Sequence, residues 1–356
     1  MTFSFFRRQR TVVGLDIGSS SVKAVELQPS GKGHRVAAFA SEPVPPDAIV
    51  DGAIIDGGAV SDAIKRIFER KNFKAKDIAA SLSGSAVIVK KISLPVMTEA
   101  ELYESIYWEA EQYIPFDVQD VNLDYQILDA GTPDNKGTMD VLLVAAKKEK
   151  IADYTGVIVQ AGRTPAIVDV DAFALQNAYE ANYGVDPSAV VVLLNAGASA
   201  INVNIIAGDQ SVFTRDISIG GNAYTEAVQR EMNLSFETAE QVKKGVALDG
   251  VDAEDVRAVL RATTENVLLE VQKTFDFFKT TTGLDRITRI LVSGGAARVE
   301  GFDEMLRERF DAPIEQLDPF KQIAFDPAHS GVEPGTDAGP TAAVAVGLAL
   351  RRVGDR

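Results

Sequence analysis

From residue 12 the chain alternates apolar and polar positions in "VVGLDIGSSSVKAVEL" (12–27), breaks at "DIGSSS", and resumes the alternation with no helix between. Period-two alternation buries one face of a strand, so this stretch predicts a β-hairpin whose turn carries an acid, a glycine and three serines. Two readings fit those residues. Asp, Gly and Ser are ordinary residues of tight turns. Alternatively, Gly18 lets the backbone approach a ligand, while amides and hydroxyls from Ser19, Ser20 and Ser21 converge on oxygen anions as a phosphate nest does. Asp16, ending the incoming strand, would then sit beside phosphates, which a carboxylate tolerates with a cation between: Mg²⁺, held through water. Neither G-x-x-x-x-G-K-[ST] nor G-x-G-x-x-G before a helix is present.

The same pattern returns at 191–206, where "VVLLNAGASAINVNII" lies on the first hairpin without a gap. Asn195 falls on Asp16, Gly197 on Gly18 and Ser199 on Ser20. Each hairpin is followed by a turn, a strand, a Gly-Gly pair and a helix: Gly57-Gly58 before "AVSDAIKRIFER" and Gly220-Gly221 before "AYTEAVQREM". Two helices of small residues, "DAFALQNAYEAN" from Asp171 and "GPTAAVAVGLALRR" from Gly339, can cross closely. Two similar halves with apposed hairpin turns and crossed connecting helices would enclose a cleft.

Between the halves, roughly 78–150, the pattern predicts an inserted small α/β subdomain. It comprises a strand pair "IAASLSGSAVIVKKISLP", a helix "TEAELYESIYWEAEQYIPF" opened by a Thr98/Glu101 capping box, and strands "VNLDYQILD" and "MDVLLVAAKK". Along the helix Tyr103, Ile106, Tyr107, Ala110, Tyr113 and Ile114 recur at helical spacing, which reads mostly as core. Trp108 lies off that stripe and Pro115-Phe116 ends the helix, so Trp108 and Phe116 are the candidates for an exposed docking edge.

Composition narrows the classes. At 356 residues and 46% apolar the chain exceeds one ordinary core. A net charge of −15 argues against a nucleic-acid binder. The longest apolar run, "AVVVLLNAGASAI", is too short to span a membrane. No cysteine and two histidines exclude thiol nucleophiles and Cys/His zinc sites; absence of Cys suits the cytosol. "MTFSFFRRQR" is too short and wrongly ordered for a signal peptide. It reads as a solvated tail (1–11) or a weak peripheral contact with a membrane or partner.

The layout of two hairpins, crossed helices and a cleft resembles the actin-like ATPase fold: α/β, with two duplicated RNase H-like lobes around a nucleotide cleft. The resemblance implies a first lobe of 12–183 plus 339–356 carrying the insertion, and a second lobe of 184–338. It implies ATP with Mg²⁺ as cofactors. "LDIGSSSVK", which includes Lys23, is similar to the first phosphate loop and "LNAGASAIN", with Asn195, Gly197, Ala198 and Ser199, to the second. Gly220 and Gly221 follow it. "RILVSGGAARVEGF" (289–302) resembles the adenosine motif, in which the missing side chains of Gly294, Gly295 and Ala296 leave room for the nucleoside. In "SFETAEQVKKG", Ser235 caps a helix and Glu240 with Lys243 resembles the pair that holds base and ribose; an i, i+3 pair is also an ordinary solvated helix face. Asp171 is the candidate for positioning attacking water, or equally a helix cap. Asn195 departs from the aspartate usual in the second loop, which implies ATP binding with weak or no hydrolysis.

Together "VVGLDIGSSSVKAVEL", "WEAEQYIPF", "LDYQIL" and "AVGLALR" resemble the PilM family of type IV pilus assembly proteins, related to the division protein FtsA. That resemblance implies a cytoplasmic ATP-binding scaffold associated with the inner membrane through the cytoplasmic N-terminal tail of PilN, received near the insertion. Other pilus machinery and a homo-oligomer or ring are further implied partners. An FtsA-type polymer would be expected to carry a linker and amphipathic helix after the second connecting helix, where this sequence has "LALRRVGDR". A sugar kinase on the same fold would need a carboxylate base aimed at a substrate hydroxyl, which no motif outside the cleft supplies.

Overall fold

The computed structural model describes residues 11–70, 73–130, 137–325 and 338–355. The N-terminal segment 1–10 lies outside the described residues. The predicted first hairpin is β1 (Val13–Ile17) and β2 (Ser21–Ser30), followed by β3 (Gly33–Pro43), a small pair β4 (Ile49–Val50) and β5 (Ala53–Ile54), and helix α1 (Gly57–Arg70). Next come β6 (Asp77–Leu82), β7 (Val87–Pro95), α2 (Glu99–Ala110), β8 (Val121–Asp129), β9 (Thr138–Lys147), α3 (Lys148–Gln160), β10 (Thr164–Val170) and α4 (Asp171–Tyr183). The second half holds β11 (Val190–Ala196), β12 (Ile201–Ala207), β13 (Gln210–Ile217), α5 (Gly221–Met232), α6 (Phe236–Lys243), α7 (Ala253–Thr282), β14 (Arg289–Ser293), α8 (Phe302–Arg309) and β15 (Ile314–Gln316). The chain closes with α9 (Ala338–Thr341) and α10 (Ala343–Ala349).

The two halves repeat strand for strand. One sheet runs β3-β2-β1-β6-β10 and the other β13-β12-β11-β14-β15. In each, the hairpin pairs antiparallel and its first strand pairs in parallel with the fourth. The connecting helices cross as tightly as small residues allow. A Cβ on Gly347 would lie 1.6 Å from the Ala174 carbonyl oxygen, and one on Gly14 would lie 2.1 Å from that of Ala345, so α10 rests directly on α4 and β1.

A third sheet, β7-β9-β8, forms the inserted subdomain under α2. The boundary expected at 78 is corrected. β6 is not half of a strand pair with β7 but joins the first main sheet between β1 and β10. Ile78 to Leu82 are all buried, as a parallel strand covered on both faces requires. The insertion therefore leaves the lobe after Leu82. The capping box is formed: Thr98 Oγ1 accepts from the Glu101 amide and Glu101 accepts from the Thr98 amide at 2.7 Å.

The core stripe of α2 also needs correction. Leu102, Ile106, Ala110 and Ile114 are buried against the third sheet, but Tyr103 is 72% and Tyr107 49% exposed. The stripe is one residue wide per turn because a three-stranded sheet offers a narrow face, and the tyrosines flank it in solvent.

Candidate functional site

Both hairpin turns close the same way. The Gly18 amide donates to the Ser21 carbonyl at 3.2 Å and the Gly197 amide to the Ala200 carbonyl at 2.9 Å, the same pair shifted by one repeat. A Cβ on Gly18 or Gly197 would crowd those carbonyls at 3.1 and 2.9 Å. The turns meet across the cleft, where Ser19 Oγ donates to Ser199 Oγ at 3.0 Å. The expected apposition of "DIGSSS" and "NAGASA" is thus present, with Ser20 exposed and Ala198 half-buried beside it.

Across each sheet the hairpin's last residues form a row. In the first, Asp16 opposes Lys23, then Ser41, and Lys23 Nζ lies 3.0 Å from Asp16 Oδ2. In the second, Asn195 opposes Asn202, then Asp216. Asn195 Nδ2 donates to Asn202 Oδ1 at 3.0 Å, Asn202 Nδ2 donates to Asp216 Oδ1 at 2.7 Å, and Ser293 Oγ donates to Asn195 Oδ1 at 3.2 Å. The acid missing at Asn195 stands two strands away at Asp216, a residue the sequence reading passes over. The signal for it is the register of the second hairpin and its following strand, "SVFTRD".

Asp171 is the first residue inside α4, one position past its N-cap Val170, so it is not the helix cap. Instead it accepts from Ser81 Oγ at 2.5 Å. Burial, then the neighbouring Asp16 charge, push its carboxyl up to about 7, against hydrogen bonds from Ser81 and Ser83. Burial, with Asp171 and Asp16 nearby, also pushes the Tyr154 phenol up.

The glycines divide into two kinds. A Cβ on Gly220 would strike the Gly197 and Ala198 carbonyl oxygens at 2.6 and 2.7 Å, and one on Gly294, at φ +90°, would strike the Ala196 oxygen at 2.2 Å. These two seat the second loop from behind. The expectation that Gly294 leaves room for a nucleoside is corrected, since its space is filled by the β11 backbone. The amides of Gly221 and Asn222 donate to Gly197 and Ala198 at 2.9 and 2.8 Å. Gly295 differs: a Cβ there would meet only Thr341 Cγ2, at 4.0 Å.

Glu240 and Lys243 do not form a solvated face. Their heads meet at 2.5 Å, with Lys243 only 10% exposed. Lys243 Nζ also donates to Thr225 Oγ1 at 3.0 Å and to the Gly221 carbonyl at 3.2 Å, and Thr225 donates to Glu240 at 2.6 Å. Burial pushes Glu240 up, but these donors outweigh it and hold the carboxyl below its ordinary range. Burial lowers Lys243 against the pull of Glu240. Lys243 Nζ and Ala296 Cβ would lie 3.6 and 3.5 Å from a Cβ on Gly221, so Gly221, Lys243 and Ala296 share one wall.

Of the docking candidates, Trp108 is 72% exposed. It lines a groove of about 390 Å³ with Tyr107, Glu111, Val118, Gln119 and Lys148. Phe116 is corrected: it is half-buried against the subdomain core, with Lys147 Nζ 4.4 Å from its ring centre.

The profile of the family described as type IV pilus assembly protein PilM matches residues 14–353. The solved PilM-PilN type IV pilus biogenesis complex is similar at 29% identity and TM-score 0.84, over 96% of this chain and 98% of that one. At the level of fold, the ethanolamine utilization protein EutJ of Carboxydothermus hydrogenoformans matches with TM-score 0.57 and 16% identity over 95% of this chain and 89% of that one. MreB5 of Spiroplasma citri bound to AMPPNP matches with TM-score 0.53 and 16% identity, over 95% and 94%. The fold is actin-like, with two lobes around a cleft.

Proposed function

Because the chain belongs to the type IV pilus assembly protein PilM family, we propose that it works there as a scaffold whose shape is set by ATP and which receives the cytoplasmic tail of PilN. The observation that carries the nucleotide reading is the pairing of two repeated glycine turns across the cleft by Ser19 and Ser199, beside the open Gly295 position. The similar MreB5 structure holds AMPPNP. Amides and hydroxyls at Ser19 to Ser21 and at Ala198 and Ser199, with Lys23, would hold the phosphates, while Gly18 and Gly197 close the turns that present them. Glu240, Lys243, Gly221, Gly295 and Ala296 would hold the nucleoside.

The donor set suits Mg²⁺ held largely by phosphates and water, with Asp16 touching it through water; no cluster of three acidic, His or Cys ligands occurs among the described residues. Asp171, with its raised pKa, would position attacking water. Asn195 supplies no charge, so ATP acts chiefly as a conformational ligand and turns over slowly.

For the partner, the reading rests on the similar PilM-PilN complex and on the groove beside Trp108, which lies where α2 and the 118–119 turn face the start of α3. Among the described residues no helix is long and apolar enough to cross a membrane, and attachment to the inner membrane's cytoplasmic side would run through PilN. Calorimetry with AMPPNP-Mg²⁺ and with a synthetic PilN tail tests both parts. Saturable binding of each is expected. Absence of AMPPNP binding overturns the nucleotide role, and tail crosslinks confined to 190–325 overturn the docking site.

A further inference from the structure

The root of the inserted subdomain is held from the opposite lobe. Leaving β6, the chain passes Ser83 and Gly84, which stands at φ +81°, a conformation suited to glycine. The Gly84 amide donates to Asp216 Oδ2 on β13, while the other oxygen of Asp216 accepts from Asn202 at 2.7 Å. Asn202 accepts from Asn195 at 3.0 Å. A continuous chain of hydrogen bonds therefore runs from the mouth of the second loop, across β11, β12 and β13, to the amide of Gly84 at the start of the insertion. Ser81 and Ser83, on the same exit segment, bond to Asp171. β13 is the edge strand of its sheet, which is why its side chains can reach the neighbouring lobe.

The lobes' rows differ at every position, with Asp16, Lys23 and Ser41 in the first and Asn195, Asn202 and Asp216 in the second. In the first lobe the acid sits on the hairpin strand at Asp16 and the third position is Ser41. In the second the hairpin strand has an amide and the third position has the acid. A carboxylate accepting a backbone amide makes a charge-assisted bond, stronger than a neutral one, and here it joins parts that must move relative to each other when the lobes open or close.

We propose that Asp216 is a latch that transmits the state of the second loop to the root of the inserted subdomain. Movement of the Asn195 turn onto a nucleotide's phosphates shifts Asn202 and with it Asp216, changing the hold on Gly84 and so the setting of β7 and the subdomain beyond. This rests on the nucleotide reading of the cleft. Coupling of two sites requires an element whose arrangement both bias, and the exit segment 81–84, gripped from Asp171 and from Asp216, is that element.

Residue-resolved amide exchange of the full chain tests this, with and without AMPPNP-Mg²⁺, in wild type, Asp216→Ala and the near-isosteric Asp216→Asn, thermal melts confirming that each variant is folded. In wild type, AMPPNP is expected to change exchange at Gly84 and along 85–94 by about tenfold. In Asp216→Ala the Gly84 amide should exchange at least about tenfold faster without nucleotide and lose the AMPPNP response, and because coupling is reciprocal its AMPPNP affinity should shift by up to about tenfold. Asp216→Asn should fall between. Unchanged Gly84 exchange in nucleotide-free Asp216→Ala overturns the latch. A full AMPPNP response in that variant, or none in a wild type that binds AMPPNP, overturns the coupling. Failure of wild type to bind AMPPNP overturns the nucleotide reading and its transmission, while the nucleotide-free comparison still decides the latch.

Discussion

Asp171 carries a carboxyl pushed up to about 7 by burial and by the charge of Asp16, far above the ordinary carboxylate value. The folded state therefore binds a proton that the unfolded chain has lost between about pH 4 and 7, so unfolding free energy falls as pH rises through that window. Asp171→Asn removes the titration. The variant should gain on wild type progressively from pH 5 to pH 8, by up to ~3 kcal/mol, measured as the difference between their urea midpoints at each pH; a constant difference contradicts the raised pKa. The paired glycines separate at the same scale. Gly294→Ala forces a Cβ onto the Ala196 backbone at a positive φ and should cost at least ~2 kcal/mol. Gly295→Val, facing open space, should leave the melt nearly unchanged and abolish AMPPNP binding by calorimetry. Sequence alone places both glycines in one motif; which of them faces the cleft depends on how β14 packs beside β11, which no local pattern encodes.

Helix α2 shows what periodicity can and cannot tell. Its start was legible, because a capping box is a local device and the Thr98 and Glu101 bonds form. Its buried face was legible only in part, since Tyr103 and Tyr107 sit at core spacing yet stand in solvent; the width of a buried stripe is set by the opposing surface, here a sheet of three strands. The placement of β6 failed for a similar reason, as a strand buried on both faces gives no alternation to say which sheet it joins. At the element level Leu102→Ala, in the packed row, should destabilise by about 3 kcal/mol. Trp108→Ala should change stability by less than ~0.5 kcal/mol while weakening a PilN-tail peptide about tenfold or more, as loss of an interface aromatic does. Equal peptide affinity in the Trp108 variant would move the docking site elsewhere.

Across the whole molecule the duplication was the most legible feature, because an ungapped repeat of hairpin, glycine pair and small-residue helix leaves a sequence trace of each half. The asymmetry within it was half legible. The neutral Asn195 could be read from the chain, but the row Asn195, Asn202, Asp216 needs the sheet register. That row governs the response to restoring the acid. Asn195→Asp removes the amide that donates to Asn202 Oδ1 at 3.0 Å and sets two oxygens face to face. Asn202 cannot turn its amide round without giving up Asp216, so the single change should cost about 1–3 kcal/mol. Adding Asn202→Lys recreates the Asp16–Lys23 pairing of the first lobe and offers a cation to Asp216 as well, so the double variant should recover most of that loss. Wild-type turnover should lie well below the ~10 s⁻¹ typical of enzymes. Asn195→Asp should raise it by supporting Mg²⁺ and the attacking water, the double variant should raise it further by virtue of being better folded, and Asp171→Asn on top should lower it again. Phosphate release measured across the four proteins decides this: rapid hydrolysis by the wild type, or no response in the double variant, would mean that the second loop's missing charge is not what keeps this scaffold from spending its nucleotide.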